Sequence, residues 1–587
     1  MTVAQYLARQ LRAWGVDTFF GVPGDTVLPL LEALRAEEGV RWIACRHEAA
    51  AALAASAYAK ASGRMAACVA DGGPGAVQLL NGVYDARRDR VPMFVVTGQL
   101  ARTRMGTGWP QDADPGLAYR GTTVFGRTLC HPAQLPEFLR AAFRAARHRP
   151  GPVRLSVPED LWQQPVQHPH PGVASPAAAP PPAASGRIQP DTAALEQAAR
   201  TLQHAQRPAI LVGQGARAAA SVLAELASDL DAAVVHTLPA LGVIPFAFPL
   251  NLGVAGEFGT QAAANALAQA DAVLMVGTTW RQPGYLNPSA KLIQVDCSME
   301  HLGIAFDPAP GIWGAAEEVV PALRDELARL GRKPRPAWRS FIEEQRRRWE
   351  QEIASVAATA ADGALHGPAG PAAFPEGAAT LVPERAGAAA PAAALHPGLV
   401  ARLLGDHVTD DAIIAVDSGN HTFWFARYFR ARHQRILLSG HWRTVGFALP
   451  AALGAKLAQP ARQVVAFCGD GGFAMHLAEL TTAVAHGLAI ACVVLRDDRF
   501  GEEESLQRSR GLAPFGTRLR NPDFAAVARA CGAHGYTASN PAELESALRA
   551  VLPALARGEV GVVEAAVQRV DPLRPQPLPA LAAPAWV

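Results

Sequence analysis

Residues Phe467 to Leu480 read "FCGDGGFAMHLAEL": an apolar strand, "RQVVAFCG", runs into an aspartate between glycines and then into a helix. With so little side-chain bulk at the junction, backbone N–H groups can close on a phosphate while Asp470 waits for a cation. A plain turn would look the same, since so short a motif is not specific. Beyond it lie a helix, "AELTTAVAHG", a strand, "AIACVVL", and the loop "RDDRFG" at Arg496 to Gly501, which places Asp497 27 residues after Asp470. One helix plus one strand returns the chain to the same edge of a parallel sheet, so the two acids become neighbours where open α/β sheets bind ligands. Two carboxylates and a loop carbonyl form a hard oxygen site suited to Mg²⁺, with phosphate oxygens and water in the remaining positions. Gly469, Gly471 and Gly472 leave room for a diphosphate beside it.

The rest of the chain repeats this pattern. Short strands that are apolar throughout ("MAACVA", "PMFVVTG"; "AILVGQG", "AVLMVGT", "KLIQVD"; "AIIAVD", "ACVVLRD") alternate with helical stretches. They predict an α/β protein of three consecutive doubly wound parallel-sheet domains, since 587 residues are too many for one core. The expected order is a first domain at 1–167, a Pro/Ala linker at 168–187, a central domain at 188–335, a helix with a low-complexity linker at 336–396, a third domain at 397–570 and a Pro-rich tail at 571–587. A formal net charge of +2 gives no sign of a nucleic-acid partner. Seven cysteines without a CxxC pair read as reduced thiols of a cytoplasmic protein. No apolar run is long enough to span a bilayer, and the tail lacks the pattern of an amphipathic membrane anchor.

The GDG motif and its 27-residue spacing resemble the thiamine diphosphate enzymes of the pyruvate oxidase and acetolactate synthase type. So do "RHEAAAALAASAYAKASG" and "DGGPGAVQLLNGVYDARRDRVPMFVVTGQ" in the first domain, and "VDSGNHTFWFARYF" and "SGHWRTVGFALPAALGAKLA" in the third. The family carries Asn-Asn where this chain has Arg496-Asp497; Arg496 either offsets the added charge or points into solvent. The resemblance implies Mg²⁺ ligands at Asp470, Asp497 and the Arg499 carbonyl. It implies an activating acid at Glu48, which alone would pass for a dipole-friendly surface residue in a first helical turn. It also implies an apolar wedge for the bent cofactor at Val445 and a glutamine near the reacting carbon at Gln111, although Pro110 stands where the family has phenylalanine. Contacts to thiamine diphosphate are implied from Pro23, Gly24, Gly73 and Asn81, and from Gly419, Asn420, Gly469, Gly471, Gly472 and Gly501. The family takes Glu48 and the diphosphate site from different subunits, so a homodimer is the smallest working unit, within a homotetramer.

The middle domain, "RPAILVGQGARAAA" and "AVLMVGTTWRQPGYLNPSAKLIQVDCSMEHLG", resembles pyruvate oxidases and implies FAD contacts at Gly213, Gly215, Arg217, Gly277, Thr278 and Asp296. Ala240 and Leu241 replace a glycine and a lysine usual in flavin-binding members. The implied activity is decarboxylation of a small 2-oxo acid such as pyruvate, oxidative with FAD as electron carrier. A carboligase of acetolactate synthase type and a thiamine fold without turnover stay beside it. The run Glu502-Glu503-Glu504 would repel an anionic substrate unless it faces solvent or binds a cationic substrate, and it reads as a solvated turn.

Overall fold

The computed structural model describes residues 1–166, 188–361 and 394–578. The expected Pro/Ala linker, most of the low-complexity stretch and the end of the tail lie outside the described residues. The first sheet contains β1 (Thr18–Gly21), β2 (Arg41–Ala44), β3 (Ala66–Ala70), β4 (Met93–Gln99), β5 (Phe125–Thr128) and β6 (Pro152–Pro158). The second contains β7 (Pro208–Val212), β8 (Ala233–His236), β9 (Asn251–Val254), β10 (Ala272–Val276), β11 (Lys291–Asp296) and β12 (Gly311–Trp313). The third contains β13 (Ile413–Val416), β14 (Arg435–Leu437), β15 (Val464–Gly469), β16 (Ala491–Arg496), β17 (His534–Ala538) and β18 (Gly561–Ala566).

The first and third sheets are wound alike, β2-β1-β3-β4-β6-β5 and β14-β13-β15-β16-β18-β17, while the second runs β12-β11-β10-β7-β8-β9. Their strands pair in parallel, and β3, β4, β7, β10 and β13 are buried along their whole length, which is why they read as unbroken apolar runs. In the third sheet the winding changes direction between β13 and β15, the kind of switch point where such sheets bind ligands.

First and third domains meet along the helices Glu48–Ser62 and Ala448–Ala458. Alanine and glycine line this seam: a Cβ added at Gly454 would lie 2.0 Å from the Ala54 carbonyl oxygen. The segment after the central domain, expected as a helix leading into a linker, is more than a connection. Its helix, Pro336–Ala361, buries Trp338, Ile342, Trp349 and Ile353, and the Trp349 indole donates to the Arg427 carbonyl of the third domain at 3.0 Å.

Candidate active site

A cavity of about 290 Å³ opens at the carboxyl ends of β13, β15, β16 and β18, lined by Gly419, Asn420, Val445, Gly469 to Gly472, Asp497, Arg499 and Gly501 among others. Three helices, Asn420–Tyr428, Asp470–Met475 and Gly501–Ser509, begin on it and turn their positive ends inward. The glycines are required by space. A Cβ at Gly471 would lie 2.6 Å from the Phe500 ring, one at Gly472 2.5 Å from Asp417, and one at Gly501 2.7 Å from the Asn420 amide. The side-chain nitrogen and oxygen of Asn420 and Nε2 of His421 are buried without a hydrogen-bond partner. Buried polar groups are rarely left so, and these suit a polar, anionic occupant such as a diphosphate.

Asp470 is 2% exposed. Its Oδ1 accepts from Gly471 N at 2.8 Å, and its Oδ2 from Asp498 N at 2.7 Å and the Asn521 amide at 2.9 Å. Burial first, and then the Asp497 charge, push its carboxyl up to about 7. Burial also raises Asp497. Two carboxylates that resist ionisation side by side are a site in want of a cation. Among the described residues no cluster of three or more His, Cys, Asp or Glu side chains could hold a metal. Two carboxylates with a free loop carbonyl match an ion that takes its other ligands from phosphate and water.

The charges around this loop differ from the sequence expectation. Arg496 neither faces solvent nor touches Asp497; it pairs with Asp498 at 2.9 Å and Glu564 at 2.6 Å. The partner of Asp497 is the Arg499 guanidinium, at 2.7 Å. The three glutamates do not form a solvated turn but open the helix Gly501–Ser509. Glu502 pairs with Arg443 at 3.2 Å, Glu504 is buried against Arg499 and Arg508, and Glu503 alone is exposed.

Sequence reasoning missed Asp417, at the end of β13. It is 1% exposed, and its Oδ1 accepts from Gly446 N at 2.9 Å and Phe447 N at 3.1 Å, which fixes the Val445 loop. Burial pushes its carboxyl up to about 6. Its place in "VDSGN", at a strand end, was the available signal; for Asn521 there was none.

The cavity lining holds no first-domain residue. Glu48 opens its helix at the edge of the first sheet, with Oε1 3.3 Å from where a Cβ on Gly75 would stand. Gly73, at φ +58, packs on the backbone of Gln111, and Gly24 packs on Asp71, beside Pro23. Neither these residues nor Gln111, which is exposed, line the cavity that Val445 lines. Asn81 stands elsewhere, on the seam: its amide accepts from the Trp442 indole at 2.9 Å and donates to Thr444 at 3.0 Å, bracing the loop that ends in Val445. Glu479, also missed, is buried and accepts from Arg46 N at 2.9 Å and His47 N at 3.1 Å, anchoring the start of the Glu48 helix to the third domain.

In the central domain, Gly213, Gly215 and Gly277 are held by one another. Gly213 N donates to the Val276 carbonyl at 2.8 Å, Gly215 N to that of Gly277 at 3.1 Å, and a Cβ on Gly277 would lie 2.5 Å from the Gly215 backbone. Close backbone packing thus accounts for these glycines. Thr278 accepts from Trp280 N, and Asp296 is engaged by Ser298 N and by His301 at 2.8 Å. Arg217 differs: its Nε and Nη2 are buried without partners, and burial lowers the guanidinium to about 10. An unpartnered cation at this strand-end turn fits a phosphate-bearing ligand.

Fold and site together define a thiamine diphosphate enzyme, and sequence comparison agrees: the chain belongs to the thiamine pyrophosphate enzyme family. Family models match its N-terminal TPP binding domain at residues 1–117, its central domain at 195–323 and its C-terminal TPP binding domain at 417–565. Within that family it falls in the superfamily of acetolactate synthases and pyruvate oxidases. It is 32% identical to a putative thiamine pyrophosphate-containing protein of Bacillus subtilis, over 94% of this chain and 89% of that one. It is 29% identical to the acetolactate synthase isozyme 2 large subunit of Escherichia coli (94% and 93% covered) and 31% identical to the sulfoacetaldehyde acetyltransferase of Rhodobacter capsulatus (97% and 95%). Among the described residues no helix is long and apolar enough to cross a membrane.

Proposed function

We propose that the enzyme decarboxylates a small 2-oxo acid, using thiamine diphosphate held through Mg²⁺ by Asp470, Asp497 and the Arg499 carbonyl. The observation that carries this reading is the Asp470–Asp497 pair on the wall of the cavity that Asn420 and His421 also line with unpartnered polar groups. Bound here, the cofactor would supply a nucleophilic carbon and an electron sink for decarboxylation. The protein's part is placement. Asn420, His421 and the glycine-walled helix starts would receive the diphosphate, and Val445 would pack against the rest of the cofactor. Glu48 would hold a proton against the aminopyrimidine. The absence of first-domain residues from the cavity lining supports a working unit of at least a homodimer, in which a second copy brings Glu48 to the cavity. A 2-oxo acid screen with CO₂ detection tests it; cofactor-loaded protein that releases CO₂ from no small 2-oxo acid would sink it.

The oxidative form of the reaction, with FAD at the Gly213–Arg217 turn, is supported by the unpartnered Arg217 guanidinium. Carboligation is supported by the likeness to acetolactate synthases. Flavin absorbance that bleaches anaerobically with the 2-oxo acid selects the first, and a two-carbonyl condensation product without bleaching selects the second.

A further inference from the structure

The second acid of the metal loop is an added negative charge beside a diphosphate. Its neutralisation lies in the side chain of Arg499, which is 4% exposed. Arg499 Nε donates to Asp497 Oδ2 at 2.7 Å, Nη1 reaches Glu504 at 3.4 Å, and Nη2 lies 3.3 Å from Asp571 in the tail. The neighbouring cations are occupied otherwise: Arg496 holds Asp498 and Glu564, and Arg569 Nε donates to the Asp497 main-chain carbonyl rather than to its carboxylate.

We propose that Arg499 is a positioning residue whose guanidinium makes the Asp497 carboxylate the electrical equivalent of a neutral amide ligand. This rests on the metal-site reading above and deepens it. The guanidinium contact uses Oδ2, and a carboxylate has lone pairs enough to serve a guanidinium and a cation together. The pair is charge-assisted, and Arg499 is nearly fully buried, so solvent screens it little. Of the two ligand carboxylates, Asp470 is then the one without a cationic partner. Arg499 thus plays two parts, its carbonyl facing the metal and its side chain setting the charge of the next ligand. Neither part can be taken over by Arg496, which is the residue that sequence adjacency favours.

The test is a double-mutant cycle on the full-length, cofactor-stripped protein: Arg499→Met, Asp497→Asn and both together. Affinity for Mg²⁺ plus thiamine diphosphate is read by calorimetry, and unfolding midpoints are read without ligand. Arg499→Met should weaken binding by at least about tenfold in the parent, as expected for losing a charge-assisted hydrogen bond. It should lose clearly less in the Asp497→Asn background, where the ligand itself carries no charge, since the loss of the Glu504 and Asp571 contacts is common to both backgrounds. Arg499→Lys should recover part of the loss. Equal losses in both backgrounds would overturn the proposal. Failure of the parent itself to bind Mg²⁺ and cofactor would instead overturn the metal-site reading, and this inference with it. If Arg499→Met does not fold, the midpoint of Arg499→Lys decides: restoration by Asp497→Asn supports the pairing, and no restoration refutes it.

Discussion

Replacing Asp470 with asparagine should stabilise the metal-free protein while abolishing its response to Mg²⁺ and cofactor. The folded-state carboxyl sits at about 7, against an ordinary 3.8. Between those pH values the folded state holds a proton that the unfolded state has released, so stability falls as pH rises through the window. At about 1.4 kcal/mol per unit, the ionised carboxylate costs the metal-free protein on the order of 4 kcal/mol above neutrality. An amide removes that charge but offers one acceptor oxygen where Gly471 N, Asp498 N and the Asn521 amide now find two. One donor left facing a donor costs about 1–3 kcal/mol. The net gain for Asp470→Asn at pH 8 is therefore about 1–3 kcal/mol, and it should reverse as pH falls, leaving the variant about 1–3 kcal/mol less stable than the parent below about pH 4, where both states of the parent are protonated and only the donor mismatch remains. Denaturant unfolding at pH 8, with and without Mg²⁺ and thiamine diphosphate, measures both parts. A variant less stable than the parent that still gains stability from the ligands would show that Asp470 is only a turn residue.

Glu48→Gln should keep cofactor affinity and lose about 10²–10⁴-fold in turnover, because the amide fills the same place without a proton to share; near-parental activity would return Glu48 to a surface role. His236 is fully buried in β8, and burial lowers its imidazole to about 4. Between about pH 6.5 and 4 the unfolded state takes up a proton that the folded state refuses, so stability falls with pH across that window. His236→Gln should flatten the fall by about one proton, and an unchanged slope counts against the assignment. Arg443 holds φ +55 on the cavity wall and reaches Glu257 and Glu502 at 3.2 Å. Arg443→Gly relieves a left-handed backbone worth about 1–2 kcal/mol and gives up ion pairs made by a solvent-exposed guanidinium, worth about 0–1 kcal/mol each. Its unfolding free energy should stay within about 1 kcal/mol of the parent, while a loss above about 3 kcal/mol would mean the pairs hold the domains together.

The third sheet was legible because β13, β15 and β16 are buried on both faces and leave continuous apolar runs, and because Gly471 and Gly472 have no room for a side chain. Asp470 and Asp497 follow from the period of one helix and one strand. What the sequence could not give was which cation meets which anion. Arg496 and Glu564 are partners across 68 positions, and the turn of the loop carries Arg499, not Arg496, back onto Asp497. The helix Pro336–Ala361 passed for a connection because "RSFIEEQRRRWEQE" is mostly charged, while its widely spaced Trp338, Ile342, Trp349 and Ile353 all turn inward.

The alanine and glycine seam between first and third domains has a consequence for anyone altering this enzyme. Gly454 leaves no room on the third-domain side of the Glu48–Ser62 helix, and on its first-domain side a Cβ at Gly82, in the helix Leu80–Arg88, would lie 2.5 Å from the Ala52 methyl, so neither contact accepts one more methyl group. The tolerance to change lies at exposed positions in three segments: the stretch around Gln111, the outward side of the helix Gly501–Ser509, where Glu503 stands, and the tail around Leu573. A library aimed at new substrates belongs in those three segments. The same number of substitutions placed on the seam would be spent on unfolded protein.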